Sequence, residues 1–152
     1  MTRNPHIPSL RRCAILSAVL FVSGWSVFTL ANDPGPNDVW TAPARAARRK
    51  NPVPADAKSM AAGKAAYTAN CFQCHGTSGK GDGPMAKDLE RKPGDLSAPK
   101  VWEQTDGALF WKVTEGRKPM PGFQKLLTED ERWHVVNYLH TFAPKGAGGG
   151  QK

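Results

Sequence analysis

Cysteine is scarce in this chain and its count is odd: Cys13, Cys71 and Cys74 among 152 residues. So small and odd a set argues against a disulfide framework. Strand-like alternation of apolar and polar residues is missing, and so is any internal repeat. Acidic residues are absent from the first 31 positions, where Arg3, Arg11 and Arg12 are the only charges. The net charge of +8 is unevenly spread. Arg45, Arg48, Arg49 and Lys50 hold +4, whereas residues 51–145 carry 13 basic against 11 acidic side chains. The body of the chain is therefore close to neutral, which gives little support to nucleic-acid binding. No RNP pattern or zinc-finger spacing occurs.

Only one long hydrophobic run is present, at residues 13–31. Arg11 and Arg12 precede it, Thr29-Leu30-Ala31 offers a small-x-small cleavage pattern, and a polar Asn32-Asp33-Pro34-Gly35-Pro36 segment follows. Residues 1–31 thus read as an export signal. A helix of that length would also approach the ~30 Å hydrocarbon core of a bilayer, so an uncleaved N-terminal anchor is the alternative. On either reading the rest is exported, to the periplasm or the outer face of the cytoplasmic membrane. Cys13 is then a small apolar residue of the leader. Residues 32–57 hold five prolines and the basic cluster, and read as an extended linker or a strap on a domain surface. The cluster reads as a solvated run, with a patch for anionic lipid or an acidic partner as the sharper alternative. The folded domain is expected over residues 58–143, followed by a Gly-rich disordered tail at 144–152.

Within that domain the expected elements are helical. Ser59 can cap a helix running toward Cys71, with Gly63 and Tyr67 one turn apart on one face. A mid-helix Gly costs roughly 1 kcal/mol relative to Ala, and a close crossing by another helix would explain it. Residues 76–99 are rich in Gly and Pro. Thr105 can cap a second helix that ends at Glu115, with Gly116 as its stop. Thr128 and Glu131 form a capping box for the last helix, whose Val135, Tyr138, Leu139 and Phe142 fall on one stripe.

Cys71-Phe72-Gln73-Cys74-His75 carries the chemistry. C-x-x-C followed directly by His is the pattern for covalent heme attachment. Two thiols three positions apart can each bond one vinyl carbon on the same porphyrin edge, and the next side chain brings an imidazole nitrogen to the iron. A thioredoxin-like pair would need a βαβ context, which is missing. A zinc site would need two more ligands. His134 and His140 are available, but they lie beside the apolar stripe of the last helix and read as plain surface residues. One motif implies one heme. Four methionines compete for the opposite side of the iron. Met1 begins the leader, Met60 opens a helix, and Met85 follows His75 by only ten positions. Met120 lies 45 positions on, between Pro119 and Pro121, far enough for the chain to travel round the ring. The two prolines restrict its backbone.

The chain resembles the class I c-type cytochromes, especially small bacterial single-heme ones. The resemblance covers about residues 57–143. It rests on Cys71-x-x-Cys74-His75, on Gly63 and Tyr67, on Lys118-Pro119-Met120-Pro121, and on Trp133 to Leu139. It implies an all-α cytochrome c fold of three to five helices around one covalent heme c, with long Gly/Pro-rich loops. Gly63 and Tyr67 should then meet Val135 and Tyr138 where the first and last helices cross. Cys71 and Cys74 would tether the heme, with His75 and Met120 as axial ligands of the iron. Expected ring contacts are Phe72, Leu89, Leu96, Trp102, Phe110, Trp111 and Phe123. The implied role is a one-electron carrier in a periplasmic or membrane-associated respiratory chain, not an enzyme, exchanging electrons with an oxidase, a dehydrogenase or another cytochrome. The alternatives are a heme protein with an open axial site, acting on peroxide or binding gas, and a cytochrome subunit of a larger complex.

Overall fold

A computed structural model describes residues 39–146. The expected leader or anchor, Cys13 within it, and residues 147–152 of the tail lie outside the described residues. In chain order the helices are α1 (Ala44–Ala47), α2 (Ala57–Asn70), α3 (Phe72–His75), α4 (Pro99–Trp102), α5 (Asp106–Glu115) and α6 (Glu129–Leu139). Short 3-10 turns at Ala86–Asp88 and His140–Phe142 complete the set, with no strand among the described residues. The fold is all-α, as expected. No helix among the described residues is long and apolar enough to cross a membrane.

Local chemistry sets the helix ends. Thr105 accepts a hydrogen bond from the Ala108 amide at the start of α5, and Gly116, at φ 68°, ends that helix in the left-handed region. At α6 the capping box is complete: Thr128 Oγ1 accepts from the Glu131 amide, and the Glu131 carboxylate accepts from the Thr128 amide at 2.8 Å. The start of α2 differs from the expected one. Asp56, not Ser59, is the cap, its carboxylate accepting from the Ser59 amide at 2.8 Å. Asp56 sits in an extended conformation three residues earlier, where its short side chain reaches the orphan amides of the first turn. Ser59 is thereby drawn inside the helix and buried.

The crossing of α2 over α6 centres on Gly63. A methyl group there would strike the carbonyl oxygen of His134 and lie 2.8 Å from Cβ of Tyr138. Hydrogen replaces that methyl, so the backbones meet and the flanking rings close around the contact. Tyr67 lies 5.3 Å from Tyr138 and 5.2 Å from Phe142, centroid to centroid. Buried Val113, Phe123, Val135 and Leu139 fill the same cluster. A second cluster joins α5 to α6 through Leu109, Phe110, Trp133 and Val136. Phe110 and Trp133 stack at 3.9 Å.

A polar network runs beside this apolar packing. Asn137 is buried, and its amide nitrogen donates to Ser59 Oγ at 2.8 Å and to the carbonyls of Val53 and Pro54. Its oxygen accepts from Asn51 Nδ2 at 2.7 Å. Ser59 Oγ also lies 2.8 Å from His134 Nδ1, within hydrogen-bonding distance. His140 Nε2 donates to the Asp106 carboxylate at 2.8 Å. Both histidines are thus half-buried and hydrogen-bonded, not the plain surface residues their position on the helix suggested.

The Pro-rich segment lies against α5 and α6. Thr105 Oγ1 donates to the Ala47 carbonyl at 2.6 Å. The Arg49 guanidinium stands 4.7 Å over the Phe110 ring and pairs with Glu129 at 2.6 Å. Arg49 therefore departs from the solvated reading, because it covers an aromatic face at the edge of the second cluster. Arg45, Arg48 and Lys50 are exposed.

Replacing Gly63 by Ala should lower the stability of the heme-loaded protein by about 1–3 kcal/mol through overpacking, measured by denaturant unfolding. Hydrogen bonds from the Thr128 amide and hydroxyl hold the Glu131 carboxyl below its ordinary value. The capping-box stabilisation is therefore present above the unfolded carboxylate pKa and lost as the pH falls through the lowered folded value. Glu131→Gln should flatten that part of the acid limb in a plot of Tm against pH.

Candidate functional site

α2 ends where the motif begins. The Cys71 amide donates to the Tyr67 carbonyl at 2.8 Å, and one further turn, α3, carries Phe72 to His75. Cys71 and Cys74 are half-buried and are not bonded to each other. The loop after α3 folds back on it. The amides of Gly81, Gly83 and Met85 donate to the carbonyls of His75, Cys74 and Gln73 at 2.8–3.1 Å, which satisfies the carbonyls a one-turn helix leaves open. The buried Tyr67 hydroxyl donates to the Gly76 carbonyl at 2.7 Å, so α2 holds the motif from its other side.

Burial pushes the Cys71 thiol up to about 12, and the neighbouring Cys74 adds to the shift. Burial of this kind disfavours a free thiolate at Cys71. Among the described residues no group of three or more His, Cys, Asp or Glu is placed to hold a metal ion by itself. Burial lowers the pKa of His75, with the bond to Gly94 working the other way. The Gly94 carbonyl lies 3.3 Å from Nδ1. A carbonyl can only accept, so Nδ1 carries the proton and Nε2 keeps its lone pair, as a metal-binding imidazole requires.

Met120 follows α5 through a tight turn. Its amide donates to the Arg117 carbonyl and its carbonyl accepts from the Arg117 amide, both at 2.9 Å. The Phe123 amide then returns to the Val113 carbonyl at 3.0 Å. The backbone at Met120 is therefore tied to Arg117, just past α5, and the chain beyond it to Val113 within α5. Its side chain is half-buried on the cluster of Tyr67, Val113, Phe123, Val135 and Leu139, and Cys71 packs on the same cluster. Met85, by contrast, is 49% exposed.

Of the expected ring contacts, Phe72, Leu96, Trp102 and Phe123 belong to that cluster, and Trp102 is oriented by donating from Nε1 to the Leu96 carbonyl at 2.8 Å. Leu89, Phe110 and Trp111 do not. Phe110 is committed to Trp133 in the second cluster, and Trp111 faces Trp40, 6.3 Å away. Within α5 it is Val113, about one turn beyond Phe110, that joins the first cluster, while the Phe110 ring is taken up by Trp133. The motif thus offers two thiols, an imidazole with a free nitrogen, and a border of partly buried apolar side chains. That set fits a flat, apolar, iron-bearing ring tethered through two sulfurs. Sequence reasoning missed the Gly94 carbonyl and the Arg117 pairing, because backbone partners leave no residue-type signal.

Residues 58–139 match the family model described as "Cytochrome C oxidase, cbb3-type, subunit III". A cytochrome c6 of Rippkaea orientalis is 40% identical over 86 residues, spanning 57% of this chain and 73% of the relative. A cytochrome c6 of Leptolyngbya boryana is 34% identical over 86 residues, covering 57% of this chain and 95% of the relative. Among solved structures, a chain of the Kuenenia stuttgartiensis reducing HAO-like protein complex superposes with a TM-score of 0.56 at 31% identity. That match covers 61% of this chain and 47% of the other, about half the solved chain's length. The chain belongs to the c-type cytochromes, small helical proteins that hold heme c covalently and carry electrons.

Proposed function

We propose that this protein is an exported single-heme electron carrier, with heme tethered through Cys71 and Cys74 and its iron held axially by His75 and Met120. One observation carries the reading beyond family membership: Met120, its backbone pinned on both sides by Arg117, packs on the same apolar cluster as Cys71. The bound heme would supply a one-electron ferric–ferrous couple. The residues of the chain do the rest. The Gly94 carbonyl fixes the tautomer and direction of His75. A thioether opposite an imidazole favours the ferrous state over bis-histidine ligation, and the apolar side chains of Phe72, Leu96 and Trp102 disfavour the extra charge of the ferric one. Filling both axial positions leaves no place for substrate, which favours a carrier over an enzyme.

The redox partners would be an oxidase, a dehydrogenase or another cytochrome, met in the periplasm or at the outer face of the membrane. The apolar run at residues 13–31 supports that location. A second reading, a subunit within a larger complex, is favoured by the likeness to the Kuenenia complex protein.

In oxidised protein from a heme-maturing host, the weak red-edge band of methionine-to-iron bonding should be present. It should vanish in Met120→Ala, which should also bind CO when reduced, and persist in Met85→Ala. A parent protein that lacks the band and binds CO tightly would instead establish an open-site heme protein. The double variant Cys71→Ala, Cys74→Ala should hold no covalent heme and lose cooperative melting.

A further inference from the structure

The span shared with the cytochrome family begins at residue 58, so the family assigns no role to the strap before it. The strap nevertheless runs along α5, in the opposite direction. Near the start of α5 the two backbones touch. A methyl group on Gly107 would strike the Ala46 carbonyl and lie 2.6 Å from the Arg49 carbonyl oxygen, and Thr105 Oγ1 donates to the Ala47 carbonyl. At the far end of α5 the contact is made by Trp40. Its ring lies 6.3 Å from that of Trp111, centroid to centroid. The Lys112 ammonium stands 5.3 Å and the Arg117 guanidinium 5.2 Å from the Trp40 ring centre. This packing leaves Trp40 half-buried, and Ala42 beside it is buried.

Arg117 is also where the loop bearing Met120 leaves α5. That loop is closed at its neck. A methyl group on Gly116 would strike the Pro121 backbone and the Gly122 amide, and one on Gly122 would strike the Glu115 carbonyl. Inside the neck, Arg117 and Met120 exchange two backbone hydrogen bonds of 2.9 Å. A loop so closed has little freedom to bend within itself, and it shifts as one body about its attachment to α5. The place of the Met120 sulfur then depends on what braces the loop from outside. The Arg117 side chain supplies such a brace, and the ring it rests on belongs to the strap. A guanidinium over an indole face is attracted by the ring quadrupole.

We propose, on the reading of Met120 as an axial ligand, that Trp40 is a positioning residue for Met120: through Arg117 it favours the seated loop over the displaced one. The competing step is a ligand exchange. The Met120 sulfur leaves ferric iron with its lone pair, an imidazole nitrogen from solution donates its own in that place, and no electron is transferred. Imidazole binds only where the loop is displaced, so its apparent affinity reports the displaced fraction.

The test uses the full, heme-loaded, oxidised chain. Imidazole is titrated against the red-edge band of methionine-to-iron bonding, and hydrogen exchange of the Met120 and Phe123 amides is followed without imidazole. Trp40→Ala should bind imidazole about fivefold more tightly and exchange both amides faster. Trp40→Phe should restore most of both readouts. Arg49→Gln, which removes the strap's pair with Glu129 and leaves the contacts of Trp40 in place, should lower stability without moving either. In an Arg117→Met background, Trp40→Ala should have little further effect. A Trp40→Ala protein equal to the parent in both readouts would overturn the role of Trp40 and leave Met120 ligation standing. A parent protein without the band would overturn the ligation reading itself. Equal changes in Trp40→Ala and Arg49→Gln, or additive effects of Trp40→Ala and Arg117→Met, would reduce Trp40 to a general stabiliser of the fold and also overturn the proposal.

Discussion

The contact between the Gly63 backbone and the His134 carbonyl is the constraint on which the rest of the fold depends. Two helices can meet at such a distance only where one side chain is a hydrogen atom. Because they do, Tyr67 comes within ring contact of Tyr138 and Phe142, and its hydroxyl reaches the Gly76 carbonyl just beyond the motif. The crossing therefore positions the one-turn helix α3, and with it Cys71, Cys74 and His75. Spreading the helices to admit a methyl group would move the motif relative to the loop that carries Met120.

A small domain has little apolar surface to bury, and this one divides it between two clusters. The first, around Tyr67, Val135 and Leu139, borders the motif. The second, around Phe110 and Trp133, faces the strap. α5 and α6 contribute to both, so these two helices carry the mechanical link between the motif and the strap. The chemistry of the site is mostly done by backbone groups: the Gly94 carbonyl sets the His75 tautomer, and Arg117 fixes the chain at Met120. Side-chain identity decides what binds, and the backbone decides where it points.

Much of this was legible in the sequence, for physical reasons. Capping boxes and stop glycines act within one helical turn, so Thr105, Gly116, Thr128 and Glu131 could be read from their neighbours alone. The motif at Cys71 is local in the same way, and the cost of Gly63 mid-helix announced a crossing partner. What could not be read depended on contacts distant in sequence. Asp56 took the cap, and Ser59, inside the helix, found a partner 78 residues away at Asn137. Phe110 pointed away from the motif because Trp133 claims its face. His134 and His140 gained partners from other elements. Asn137 shares its helix face with Trp133, His134 and His140, and nothing local named Asn51 and the Val53 and Pro54 carbonyls as its partners.

The Asn137 network has a consequence for how far the molecule extends. The segment shared with relatives starts at residue 58, yet the buried amide of Asn137 is satisfied by Asn51, Val53 and Pro54, which precede it. Cutting the chain at the homology boundary would leave a hydrogen-bonding group in the interior with three of its four partners gone, on the very helix that crosses at Gly63. The unit that is inherited and the unit that is self-sufficient in hydrogen bonds are thus of different lengths, and the strap makes up the difference.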